Sequence, residues 1–193
     1  MQFKKAGKFI LNKLATELPE NLYYHSVAHI LDVYQAAEQI GKQEGIKNHE
    51  MKLLLTAAWF HDSGFLKNPK GHEEESCRIV KKELPGYSYT VADIEKICGL
   101  IMATQIPQSP KNHLEQILAD ADLDYLGRDD FFTIGDKLFN EFMVLSFIKN
   151  EEEWNRLQVH FLESHHYFTQ TALNLRQAKK QQHLQQIKAK ITD

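Results

Sequence analysis

Cysteine is scarce in this 193-residue chain, with only Cys77 and Cys98, and the two lie apart without a CxxC pairing. That leaves no disulfide framework and no zinc-thiolate site, and predicts two buried thiols in a reducing compartment. Proline is also scarce, with five residues, four of them in segments that read as turns. No apolar run approaches the roughly 18 residues of a membrane span. The opening MQFKKAGKFILNKLATELPE reads as an amphipathic helix without a small-residue cleavage site, so the expected location is the cytoplasm. Phosphate-cradling loops of the GxxxxGK[ST] and GxGxxG kinds are absent, as is the GxSxG elbow of serine hydrolases. Charge of one sign is missing too: 23 basic against 26 acidic residues give a net charge of −3, which advertises neither a nucleic-acid polymer nor a membrane as partner. No solenoid-length repeat is present, which disfavours a repeat-array scaffold.

What the chain has is helical periodicity almost everywhere. Apolar residues recur at helical spacing in Phe9, Ile10, Leu14, in Ile30, Val33, Ala37 and in Leu54, Ala57, Ala58, and no strand pattern emerges. Asn48, Thr90 with Asp93, Asn112 with Glu115, and Asn150 with Glu153 read as helix starts. Segments 63–71, 84–88, 105–112 and 126–130 carry Pro and Gly as turns. The expectation is an all-α domain of seven or eight helices. Residues 1–176 form the domain and 177–193 a polar, solvated helical tail, whose Leu184, Ile187 and Ile191 would allow weak homo-oligomerisation. Upstream of the tail, Trp154, Leu157, Phe161, His165 and Phe168 read as a core-facing stripe that closes the domain.

Ten histidines stand out, and three fragments concentrate the chemistry. In AAWFHDSGF at 57–65, His61 and Asp62 end a strongly apolar helix, where a cation can keep the carboxylate ionised and both groups can ligate a divalent metal. The alternative is a helix-capping histidine followed by a loop aspartate. In YYHSVAHILDV at 23–33, His25 and His29 stand four apart and share a face if the helix begins by Ser26. His29 is the better ligand because its neighbours are apolar, whereas His25 reads as a group behind the ligands, a substrate contact or a surface cap. In LEQILADADLDYLGR at 114–128, Asp122 flanks the apolar face and is the preferred ligand, with Asp120 in reserve. A solvated acidic helix end is the competing reading, but carboxylates there oppose the helix dipole and need another reason to be present.

Together these fragments resemble the HD superfamily of metal-dependent phosphohydrolases, helical proteins with an H…HD…D signature. The ordered matches are His29, His61 with Asp62, and Asp122, and GHEEES at 71–76 and LADADLDYLG add to the likeness over roughly residues 22–130. The resemblance implies an HD-domain, phosphodiesterase-like helical bundle. It also implies a site in which His29, His61, Asp62 and Asp122 hold one divalent ion (Mn, Fe, Co, Ni, Zn or Mg) and a metal-bound hydroxide attacks a small phosphorylated substrate, a nucleotide by expectation. Asp62 or His72 would move the proton, and His25, Glu73, Asp120 and Arg128 would serve the substrate or the ligands. Lys67, Lys70 and Arg78 are further candidates for phosphate. Many two-metal relatives carry a histidine where this chain has Thr104 in LIMATQIP, which points to a single metal and away from a di-iron oxygenase. A non-catalytic nucleotide-sensing or scaffold module is the remaining alternative.

Overall fold

The computed structural model describes residues 1–192 and contains nine α-helices and no strand among them. In chain order these are α1 (Phe3–Glu17), α2 (Val27–Gln43), α3 (Asn48–Phe60), α4 (His72–Glu83), α5 (Val91–Met102), α6 (His113–Asp122), α7 (Phe131–Val144), α8 (Glu151–Ser164) and α9 (Gln170–Thr192). Short 3-10 turns occupy Ser63–Leu66, Leu84–Tyr87 and Asp124–Gly127. The all-α expectation holds, and no described helix is long and apolar enough to cross a membrane.

The centre of the bundle is α3. Every residue from Leu53 to Phe60 is buried, the pattern of a helix surrounded on all sides rather than one with a solvent face. Around it α1, α2, α4, α5 and α6 build one apolar core through residues such as Ile10, Ile40, Val80, Ile97 and Leu118. Cys77 and Cys98 are buried free thiols in this core. A second core joins Tyr24, Leu123, Tyr125, Leu126 and Phe131 to Leu162 of α8 and to Leu184 and Ile187 of α9.

Local signals set several helix starts. Thr90 and Asp93 form a reciprocal capping box, with the Asp93 amide donating to Thr90 Oγ1 at 3.2 Å and the Thr90 amide donating to Asp93 Oδ2 at 3.0 Å. Asn112 and Asn150 likewise accept from the amides of Glu115 and Glu153. Asn48 differs, because α3 already starts there after Lys47 and no side chain caps it.

Two expectations about the C-terminal region are corrected. The helix expected to start at Asn150 and carry the stripe to Phe168 ends at Ser164, and the chain breaks before Gln170 where Asp120 takes the backbone amides of Phe168 and Thr169 at 2.9 and 2.7 Å and the Thr169 hydroxyl at 2.7 Å. Thr169 Oγ1 in turn accepts from the Ala172 amide and caps α9. The break adds one helix, and the nine described exceed the expected seven or eight. Nor are residues 177–192 a solvated tail: Lys180, His183, Leu184 and Ile187 are buried, and the His183 ring bonds the Leu126 carbonyl at 2.9 Å. Gly127 permits this docking, since a Cβ there would stand 2.3 Å from the Arg176 carbonyl oxygen.

Candidate metal centre and its cavity

The last turn of α3 delivers His61 and Asp62 into the bundle, and the following turn is locked in place. Ser76 Oγ donates to the His61 carbonyl at 2.6 Å and accepts from the Gly64 amide at 2.8 Å. A Cβ on Gly64 would fall 2.0 Å from the His72 carbonyl oxygen, so only glycine lets the start of α4 approach this turn. The consequence is that His72 Nε2 lies 3.3 Å from Asp62 Oδ1 and 3.4 Å from Glu73 Oε1.

His29 from α2 and Asp122 from the end of α6 meet His61 at one point. Donor atoms of His29, His61 and Asp122 lie within 4.8 Å of one another, the two histidines buried and Asp122 half-buried. The Nε2 atoms of His29 and His61 are 3.3 Å apart. Asp122 Oδ1 stands 3.3 Å from each, and Asp62 Oδ2 is 3.3 Å from one and 3.2 Å from the other.

This arrangement fits a cation. His61 Nδ1 is 2.9 Å from the Ala58 carbonyl, and donating its proton there leaves the Nε2 lone pair of the neutral ring facing another imidazole nitrogen. Asp62 Oδ2 is buried without any hydrogen bond. Two imidazole nitrogens and an unpaired carboxylate oxygen in one buried spot are costly for a closed polar network but suit a divalent ion of the Mn-to-Zn series.

The protonation equilibria point the same way. Burial opposes charge on His29 and His61, yet the Asp62 and Asp122 carboxylates outweigh it and raise both imidazoles, His61 strongly. Burial likewise works against the carboxylates, while the facing imidazoles bring Asp122 down to about 2 and Asp62 well below its ordinary value. The carboxylates thus favour a proton on each imidazole, and such protons compete with a metal for the site.

Other expected residues fall into distinct places. His25 precedes α2 rather than sharing its face with His29; its Nδ1 bonds Glu141 Oε1, and its ring stacks on Phe65 at 3.9 Å between centroids. Phe65 also contacts the His72 ring at 4.3 Å. Thr104 lines the cavity, with its hydroxyl given to the Ile101 carbonyl at 2.8 Å. Asp120 is corrected from a substrate-side group to the anchor of the 165–169 break, because both its oxygens are occupied there. Arg128 is likewise drawn away, bonding Asp32 and Asp130 at 2.7 Å each. Lys67 and Arg78 both pair with Glu75, and Lys70 is exposed. None of these four cations lines the cavity.

Glu141 escaped the sequence reading. It is fully buried on α7 and accepts from the amides of Tyr24 and His25 at 2.9 and 3.1 Å as well as from the His25 ring. Its signal was a carboxylate three residues beyond Leu138, on the apolar side of an otherwise amphipathic helix. Also unforeseen was the cavity itself, of about 330 Å³, which runs from the metal cluster to α7 and α8. Trp154, Leu157 and Phe161, expected in a closed core, line it.

Comparison with known proteins follows this geometry. The HD domain family model matches residues 26–124, just over half the chain. Among solved structures, a predicted HD superfamily hydrolase from an uncultured Thermotogales bacterium superposes with a TM-score of 0.63 at 16% identity, covering 98% of this chain and 91% of that one. A protein from Lactobacillus plantarum gives a TM-score of 0.65 at 19% identity, covering 100% of this chain and 99% of the other. At such identities the likeness is one of fold. No curated protein matches the sequence.

Proposed function

The chain belongs to the HD domain family, and from that premise we propose that it is a metal-dependent hydrolase of phosphate esters with one divalent ion held by His29, His61, Asp62 and Asp122. The observation that carries the reading is the buried convergence of two imidazole Nε2 atoms on Asp122 and on the unpaired Asp62 oxygen. When bound there, a divalent ion supplies Lewis-acid polarisation of a phosphoryl oxygen and of water. The nucleotide expected from the sequence is one ester of this class.

The chain's own residues have definable tasks. In the reaction ROPO₃²⁻ + H₂O → ROH + HPO₄²⁻, a P–O bond from water forms as the ester P–O bond breaks, and a proton passes from water to the leaving alkoxide. His72 suits that transfer. Its Nδ1 faces the Pro69 carbonyl at 3.0 Å. Burial opposes its charged form, but Asp62 and Glu73 raise its affinity for the proton at Nε2. Glu141 fixes the His25 ring at the cavity wall, and Phe65, wedged between His25 and His72, holds both rings in place. Tyr24 and Tyr125 line the same end, and burial pushes both phenols upward, so they remain hydrogen-bond donors.

The single ion fits the chain at Thr104, whose hydroxyl is already used and offers no second nitrogen ligand. The direct test is metal analysis of purified protein beside Asp62→Ala, followed by phosphate release from an ester panel with added Mn, Co, Ni, Zn or Mg. About one metal per chain, lost with hydrolysis in the variant, is the expected result. Turnover that persists in metal-free protein would refute the reading.

A further inference from the structure

The cavity has two unlike ends. At the metal end, Asp62, Asp122 and Glu73 place three carboxylates. Beyond them α7 and α8 contribute Leu138, Phe142, Trp154, Leu157 and Phe161, with Gln158 as a polar exception. No lysine or arginine is among the described residues that line it. Of the four candidates from the sequence, Arg128 is spent on Asp32 and Asp130 and Lys67 and Arg78 on Glu75, while Lys70 is exposed outside the lining.

We propose that the substrate is a phosphate monoester with an extended apolar body, alkyl or aryl, rather than a nucleoside di- or triphosphate. This rests on the hydrolase reading above and narrows it. One phosphoryl group can be held by direct coordination to a divalent ion at the donor cluster, beside His72. A second or third phosphate would lie either against those carboxylates or along an apolar wall, in both cases without a cationic partner, and a buried anion without one is strongly disfavoured. An apolar body gains from the same wall, since each methylene withdrawn from water adds to binding. A volume of about 330 Å³ falls at the lower end of the range of small-molecule sites, roughly 300–1,000 Å³, which are mostly apolar with few polar groups fixing orientation.

The test is a homologous series of n-alkyl phosphates from ethyl to octyl, compared with ADP and ATP in the presence of Mn²⁺. Octylphosphonate and ethylphosphonate, which are not hydrolysed, are titrated calorimetrically. Expected is a rise in kcat/KM of about fourfold for each methylene that enters the cavity, with ADP and ATP about 100-fold poorer than octyl phosphate. Leu157→Asp, at a position 39% exposed and so tolerant of substitution, flattens the series and weakens octylphosphonate about tenfold. Leu175→Asp, exposed on α9 and outside the cavity, changes neither. A flat series, or nucleoside polyphosphates as the better substrates, overturns the proposal while leaving the hydrolase reading intact. Octylphosphonate binding more tightly than ethylphosphonate and sensitive to Leu157→Asp, with no ester cleaved, sinks the hydrolase reading and upholds the apolar specificity. Octylphosphonate that binds no better than ethylphosphonate overturns it.

Discussion

At one end of the cavity, two imidazoles and two carboxylates crowd within hydrogen-bond distance yet leave a buried oxygen unpaired. At the other, α7 and α8 present aromatic and aliphatic side chains, while behind them α9 seals a conventional apolar core with Leu184 and Ile187. The first region keeps polar groups unsatisfied among themselves, an arrangement that favours a ligand over folding stability. The second is held by apolar packing, so truncating its buried side chains costs stability without touching the donor cluster. Metal binding and folding stability are thus divided between the donor cluster and the apolar core behind the cavity wall.

The largest effect expected on the stabilising side is Ile187→Ala, which empties a fully buried position and lowers unfolding free energy by about 3 kcal/mol in urea titration. Metal stoichiometry stays unchanged. Loss of metal in that variant would break the division between the two regions. On the ligand side the counterpart is linkage. Metal at about 100 times its Kd adds about 2.7 kcal/mol to the wild type, seen as a rise in Tm, and Asp122→Asn removes most of that gain. An equal rise in both proteins would place the ion elsewhere.

Asp120→Ala tests the joint between the regions. It strips the acceptor from the Phe168 and Thr169 amides and the Thr169 hydroxyl and costs about 2 kcal/mol, with faster hydrogen exchange at the start of α9 than at α3. Uniform exchange would argue against a local anchor.

The smallest effect is Glu141→Gln, about 1 kcal/mol at pH 7. Burial alone would raise the Glu141 carboxyl, but His25 and the two backbone amides hold it below its usual value. A depressed carboxyl contributes fully above the unfolded glutamate value of about 4.3 and loses that contribution as pH falls through the folded value. The stability gap between wild type and variant is therefore widest near neutrality and narrows below about pH 4.3. A gap independent of pH across pH 3–7 would show that Glu141 acts through shape alone.

Much of the fold was readable from local pattern. The buried α3 announced itself as an apolar run ending in His61 and Asp62, and Thr90, Asn112 and Asn150 announced three helix starts. Less readable were features made by distant partners. The Gln- and Lys-rich segment after Arg176 reads as solvated, yet Lys180 is buried with its ammonium on the His165 carbonyl at 2.5 Å. His25 needed Glu141, 116 residues away, to enter the site. Three of the four cations suggested for phosphate, Lys67, Arg78 and Arg128, were claimed by carboxylates that composition alone does not pair with them.

Asp120, Asp122 and Asp124 show where the boundary falls. Their spacing on one helix end, and the cost of three carboxylates against a helix dipole, follow from sequence alone and demand three separate compensations. Tertiary structure assigned them: Asp120 to the amides of Phe168 and Thr169, Asp122 to the paired imidazoles, and Asp124 to Arg176 at 2.7 and 3.0 Å. The sequence by itself determined the helices and the supply of donors, because both depend on neighbours within a turn or two. Which donor meets which partner was decided only when elements some 50 residues apart docked, since that choice depends on where whole helices bury their apolar faces.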